Sequence, residues 1–387
     1  RIADRSPRAA GRNMGGHGMM AKWTRRAATG ALAGAALMTP LAGQLATPAQ
    51  AAETIRVVVI DGYPARALWV KEFTNFFIPE VDKRLAETGT YKIDWQESYG
   101  GAIVKPKGVL EGIELGLGDI GIVTTIFHNS KLPSQAISAV TPFVAPDARA
   151  VAKAVDEIAR EFPTMQKEFE AQNQVYLATG VVLDTYQLFS KEPIATLSDV
   201  EGDKVAGAGM NLRYLEGIKD VAGVRGGLTD FYNMLQTGLV DHAMLWPEAA
   251  STFKIAEVAP YMLRVDLGAV NSKTITVNKQ FWDGLPDEVK AVLREVAVLY
   301  RDHVAGIAMD RAEASREAYV AAGGTIVELS VEERAAWADA MPNIALEWAT
   351  NLDGKGEPGT EMLRSYLGKL AEAGYMPVRD WAAEVSN

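Results

Sequence analysis

The chain is 387 residues long, room for two or three domains, and carries 39 Lys plus Arg against 49 Asp plus Glu, a formal net charge of −10. It contains no cysteine, which excludes a disulfide framework, thiolate metal sites, iron–sulfur clusters and a cysteine nucleophile. Hydrophobic residues make up 48% and charged residues 23%, a globular composition, and the acidity argues against a nucleic-acid partner, which needs clustered Lys and Arg.

The charge is unevenly spread. Residues 1–51 hold Arg1, Arg5, Arg8, Arg12, Lys22, Arg25 and Arg26 against Asp4 alone; subtracting that +6 from −10 leaves −16 for residues 52–387. Lys22, Arg25 and Arg26 open a nearly uncharged stretch, Ala27–Leu45, followed by Pro48-Ala49-Gln50-Ala51 with its small residues in the A-x-A pattern. This reads as an export signal cleaved after Ala51. Thr24-Arg25-Arg26 hints at twin-arginine export, but Ala27-Ala28 follow where bulkier apolar residues are usual, so an ordinary secretory signal fits as well. Met14, Met19 and Met20 precede the basic region, so residues 1–18 read as an over-extended start. The expected location is the periplasm.

Beyond the signal, strand-like and helix-like segments alternate. Thr54–Ile60 is a β-branched run that stops at Asp61-Gly62-Tyr63-Pro64, and residues 64–87 read as a helix with a kink at Pro79. A strand at Tyr91–Glu97, a short helix at Gly108–Leu117 and a strand at Gly118–Thr125 follow. Asp147–Gln172 is helical with a break near Pro163, and Gln174–Val182 and Tyr186–Ser190 are strands. Lys204–Ala206 is a short strand, and Thr229–Thr237 a helix closed by Gly238. Asp241–Trp246, Tyr261–Asp266 and Lys273–Asn278 are strands. This alternation predicts α/β layers around largely parallel sheets. From Pro286 to about Ala322 apolar residues recur at helical spacing without another proline; such a helix is roughly 50 Å long, more than one small domain, and should cross two lobes. Thr325–Leu329 is a final strand, and Ser330-x-x-Glu333 caps another helix.

An ordered series of motifs resembles the solute-binding subunits of tripartite ATP-independent periplasmic (TRAP) transporters, the DctP type. They are Gly100-Gly101-Ala102-Ile103, Gly118-Asp119-Ile120, Thr141-Pro142-Phe143, Ser190-Lys191-Glu192-Pro193-Ile194, Leu197 to Val205, Phe231 to Asp241 (FYNMLQTGLVD) and Phe281-Trp282-x-x-Leu285-Pro286-x-Glu288. The resemblance covers essentially all of 53–387. It implies an α/β, two-lobed periplasmic binding protein fold with an interlobe ligand cleft and a long helix spanning both lobes. The expected lobes are 52–184 with about 271–286, and 185–270 with about 323–387, with 286–322 as the shared helix. It also implies a monomer that carries a small organic acid to membrane permease subunits, with no enzymatic activity, cofactor or metal. A ligand sensor of the same fold is the alternative.

One position departs from the family pattern. The arginine that usually follows "K-[IV]" and grips a ligand carboxylate is Ala206 here. Either another cation takes its place, Arg213 and Arg225 being nearest along the chain, or the ligand is neutral or zwitterionic. Matched positions and strand ends nominate Tyr99, Phe127, Tyr186, Met210, Asn211, Arg213, His242 and Trp246 for the ligand site. Gly207-Ala208-Gly209 begins like a dinucleotide loop, but Leu212 replaces the third glycine, and no histidine spacing suits a metal.

Overall fold

The computed structural model describes residues 51–383. The expected export signal in 1–51 lies almost wholly outside the described residues. The first sheet is built from β1 (Glu53–Ile60), β2 (Tyr91–Ser98), β3 (Ile120–Thr124) and β4 (Gln174–Leu183). The chain then passes through Asp184, Thr185 and Tyr186 into a second sheet: β5 (Gln187–Ser190), β6 (Lys204–Gly207), β7 (Ala222–Arg225), β8 (His242–Leu245) and β9 (Tyr261–Arg264). It returns by β10 (Val270–Asn278) and ends the strands with β11 (Thr325–Glu328). The order is β2-β1-β3-β10-β4 in the first sheet and β11-β9-β5-β8-β6-β7 in the second. Two chain crossings, 184–186 and 265–269, therefore join the lobes, as hinge strands do in two-lobed folds.

The β-branched runs form strands buried on both faces, as parallel strands covered by helices must be. β3 is buried throughout, and so is the nine-residue β10, which extends three residues upstream of the expected strand. Around Pro79 the helix departs from regular α geometry. The preceding turn, Phe73–Phe77, widens into a π turn, with the Ile78 amide bonding Phe73 O. A proline gives no amide hydrogen to the carbonyl four residues back, and a wider turn absorbs the loss.

The helix Asp287–Ala321 is 35 residues long and ties both lobes together. In the first, the Tyr300 hydroxyl donates to Trp69 O (2.6 Å). In the second, Tyr319 donates to Ala259 O (2.6 Å) and its ring meets Phe189 edge-on. Arg301 reaches the buried Asp156 of helix Ala148–Glu161 at 2.6 Å, and Asp156 also accepts from Arg160 and Tyr176. The tail departs from the expected boundary. β11 joins the second sheet, but helix Gly359–Glu372 packs on Ala148–Glu161 of the first lobe, where Lys369 pairs with Glu161 (3.0 Å). Trp348 likewise donates to Pro133 O.

The lobes touch in front of the hinge. Gly209, at φ +55°, faces the Ile126 carbonyl so closely that a Cβ would lie 2.2 Å from its oxygen. Only glycine tolerates both the left-handed backbone and the approach. Tyr214 of the second lobe donates to Ala139 O (2.6 Å), and the exposed Arg66 lies over the Phe253 ring (4.9 Å).

Two outcomes follow. Asp156→Ala leaves Arg301 with only the exposed Asp302 as partner and should cost about 3 kcal/mol or more in urea unfolding; a loss below about 1 kcal/mol contradicts the assigned role. Gly209→Val should hold the lobes apart, giving a larger radius of gyration in solution scattering, with some loss of melting temperature from the strained backbone. An unchanged radius contradicts the contact's importance.

Candidate functional site

In both sheets the parallel strands point their carboxyl ends at the space between the lobes, where open α/β sheets bind ligands. From the first sheet, β1 delivers Asp61, Tyr63 and Trp69, and β3 delivers Thr124 and Thr125. The antiparallel β10 delivers Lys273, in register with Thr124 and Val181. From the second sheet, β6 leads into Gly209, Met210 and Asn211, and β8 leads into Trp246. Tyr186 stands at the crossing between them.

Lys273 is the unusual group. It is 2% exposed, in a strand otherwise apolar or neutral. Its ammonium lies 3.8 Å from the centroid of Trp69 and 5.5 Å from that of Tyr63, and its one hydrogen bond goes to Ser272 Oγ (3.0 Å). Among the described residues no carboxylate reaches ion-pairing distance of it. Arg301, the other buried basic side chain of the Lys/Arg type, is already committed to Asp156. Asp61, 3% exposed, accepts from Tyr63 N (2.7 Å) and Trp69 Nε1 (3.1 Å). Burial pushes the Asp61 carboxyl well above the usual range, against its backbone hydrogen bond and the Lys273 charge, and pushes Lys273 well below its usual range, against the Asp61 charge. Burying an ammonium costs several kcal/mol, while a desolvated cation–π contact returns about 2 kcal/mol. The lysine is thus under-compensated and has donors to spare.

The walls are aromatic. Tyr186 meets Trp246 edge-on at 5.5 Å, and Tyr63 meets Trp69 at 4.8 Å. Trp246 is held by its indole hydrogen bond to Glu248 (3.3 Å), a carboxyl raised by burial, with Thr252 and Trp246 hydrogen bonds opposing. The buried Asn211 amide lies against the Tyr186 phenol and the Thr124 hydroxyl against Tyr63, while Thr125 Oγ1 is buried with no partner among the described residues. Unpartnered buried groups are uncommon and ask for an explanation.

The residues nominated from sequence divide. Tyr186, Asn211 and Trp246 come together at the crossing. Tyr99 is half-buried at the end of β2, with Thr74 donating to its hydroxyl (3.3 Å). Phe127 follows β3 beneath the Lys107 ammonium (5.5 Å). Met210 borders an outer groove of about 220 Å³ with Trp348 and Arg213. Arg213 does not enter the cleft; it pairs with Glu216 and with Glu347 (2.9 Å) on the outer face of its turn. His242 lies at the start of β8, roughly 10 Å along the strand from the cleft end, and pairs with Asp203 (3.0 Å). Arg225 is exposed at the end of edge strand β7. Ala206 is fully buried between Val224 and Ala243 in the second sheet. The cation in the cleft therefore comes from the opposite sheet. Asp61, Tyr63, Trp69 and Lys273 were not nominated, although Asp61-Gly62-Tyr63-Pro64 marked a strand end and a lysine inside a buried strand is itself a signal.

The family model of bacterial extracellular solute-binding proteins, family 7 (DctP), matches residues 76–351. The C4-dicarboxylate-binding periplasmic protein DctP of Rhodobacter capsulatus is 36% identical over 125 residues, 32% of this chain and 37% of that protein, so the match spans little more than a third of that relative. Among solved structures, a TRAP solute-binding protein of Rhodoferax ferrireducens with copurified benzoate superimposes with a TM-score of 0.73 at 18% identity, covering 83% of this chain and 98% of the other. A TRAP periplasmic solute-binding protein of Bordetella bronchiseptica with bound (R)- and (S)-mandelate gives 0.72 at 16% identity, covering 82% and 99%. These structures share the two-lobed fold. The matched family model spans most of the described residues, and the chain belongs to the DctP family, family 7 of the bacterial extracellular solute-binding proteins.

Proposed function

We propose that the protein is a periplasmic receptor that captures a small organic acid with an apolar or aromatic body and hands it to a TRAP-type membrane permease. The observation that carries this reading is Lys273: a buried ammonium with spare donors, between aromatic walls, at the carboxyl ends of the strands. An arriving carboxylate supplies the anion the site lacks, and Tyr63, Trp69, Tyr186 and Trp246 take up the organic body. Lys273 thereby replaces the arginine missing at Ala206, from the other side of the cleft.

The same geometry narrows the substrate. A second carboxylate would face Asp61 with no second buried cation to meet it, which favours monocarboxylates over the C4-dicarboxylates named for the relative. A zwitterion would need a carboxylate for its positive end, and burial drives the Asp61 carboxyl toward its neutral form. Benzoate and mandelate in similar folds are monocarboxylates with aromatic bodies, in keeping with this reading. Membership of a family of solute-binding proteins favours capture without turnover.

A thermal-shift screen of the purified protein tests it, since a ligand that binds only the folded state raises the melting temperature. Aromatic and branched monocarboxylates should stabilise; Lys273→Met should abolish the shift, whereas Arg213→Ala should keep it. A full response in Lys273→Met, or a loss confined to Arg213→Ala, contradicts the assignment. Affinity should also depend on pH. Burial lowers Lys273, so raising pH removes the ammonium; burial raises Asp61, so lowering pH removes the competing carboxylate. Both effects act in one direction: binding should weaken from about pH 6 to about pH 9. A flat profile contradicts a neutral-range lysine.

A further inference from the structure

The mouth of the cleft carries its own charge pattern. The loops that leave β1 and β2 toward the cleft, 61–67 and 99–108, hold Arg66, Lys105 and Lys107 and one acid, the buried Asp61. All three cations are exposed and have no ion-pair partner among the described residues. The fold fixes them at the mouth. A Cβ on Gly62 would lie 2.1 Å from Pro106 N, so the Lys105-Pro106-Lys107 turn rests directly on the chain that leaves β1 for the ligand site. The Lys107 ammonium stands 5.5 Å from the Phe127 ring, one residue past the Ile126 carbonyl that Gly209 of the second lobe approaches. Arg66 reaches the second lobe at Phe253 (4.9 Å), just past the helix Pro247–Thr252 that follows Trp246. Arg225, exposed at the end of β7 and also without an ion pair among the described residues, adds a cation from the second lobe. Against these stand the exposed Glu97, which accepts from Thr74, and Asp230, which accepts from the Gly227 amide (3.0 Å). This cationic rim belongs to a body of net charge −16 over residues 52–387, so an anionic solute is repelled by the molecule as a whole and drawn to the mouth.

We propose, on the footing of the organic-acid reading, that Arg66, Lys105 and Lys107 form an electrostatic funnel that steers an anionic solute into the cleft and sets the rate of capture, while Lys273 holds the bound ligand. Solvent divides the two roles. Lys273 is buried, so its charge acts on a bound carboxylate with little screening. The rim charges are hydrated and act on solute still approaching through water, over about 30 Å at 0.01 M salt and about 8 Å at physiological ionic strength. Charges of this kind change the association rate and its salt dependence more than the lifetime of the complex.

The test is stopped-flow fluorescence of the purified protein with benzoate as the probe, read on the tryptophans that line the site, with association and dissociation rates measured from about 0.01 M to about 0.3 M salt. In the unaltered protein the association rate should fall steeply with salt. In the double variant Lys105→Gln with Lys107→Gln it should be about three- to tenfold lower at low salt and nearly flat with salt. The dissociation rate should stay within about twofold. Reversing both charges, Lys105→Glu with Lys107→Glu, should slow association further. A control removes two positive charges from helices outside the cleft-facing loops, Lys83→Gln on Ile78–Thr88 with Lys153→Gln on Ala148–Glu161, and should leave the association rate within about twofold. An unchanged association rate in the rim variants, a loss carried by the dissociation rate, or an equal loss in the control overturns the funnel while leaving the acid receptor intact. Failure of benzoate and of every other monocarboxylate to bind the folded protein overturns both.

Discussion

The site turns on one ammonium. Lys273 sits in the middle of a buried strand, pressed on the face of Trp69, with a carboxyl close by but not in contact. Burial of that charge is too costly for an indole face and one serine hydroxyl to offset. A receptor can use such a deficit. A ligand carboxylate completes the electrostatics of the empty site, so its arrival gains more than the same contact would on a solvated surface. Asp61 keeps the deficit moderate: it holds Tyr63 and Trp69 in place through its two hydrogen bonds and tempers the lysine charge from a distance.

On the proposed reading, the scaffold would convert that local gain into movement. Each lobe supplies part of the proposed site, and two chain crossings, the helix Asp287–Ala321 and the C-terminal helices link them. Tyr300 and Tyr319 anchor this helix to opposite lobes and so tie the two together along one side. Gly209 sets how far closure can go. Its missing side chain lets the turn after β6 rest on the Ile126 carbonyl, which brings Asn211 to the crossing.

Much of this was legible in the sequence. The long helix followed from unbroken helical spacing between Pro286 and Gly323, and the strands followed from β-branched runs ended by turn residues. Tyr186 and Trp246 were nominated because aromatic residues at strand ends mark a cleft, and the structure brings the two rings together. The errors have local causes. Arg213 was nearest in sequence to the lost arginine, but the tight turn carrying it points the guanidinium outward to Glu216 and Glu347. His242 begins the strand whose other end reaches the cleft. Lys273 went unnoticed because its partners come from β1 and the helix after it, about 200 residues away, and no local pattern reveals that pairing. Gly207-Ala208-Gly209 lacks the third glycine of a nucleotide loop, and its last glycine answers to a contact between lobes.

The most direct test of the central claim is a crystal structure of the protein with its tightest-binding monocarboxylate. The account predicts a closed cleft with a carboxylate oxygen within hydrogen-bond distance of Lys273 Nζ and the organic body between Trp69, Tyr186 and Trp246. A carboxylate held instead by Arg225 or Arg213, with Lys273 still bonded only to Ser272, would contradict it.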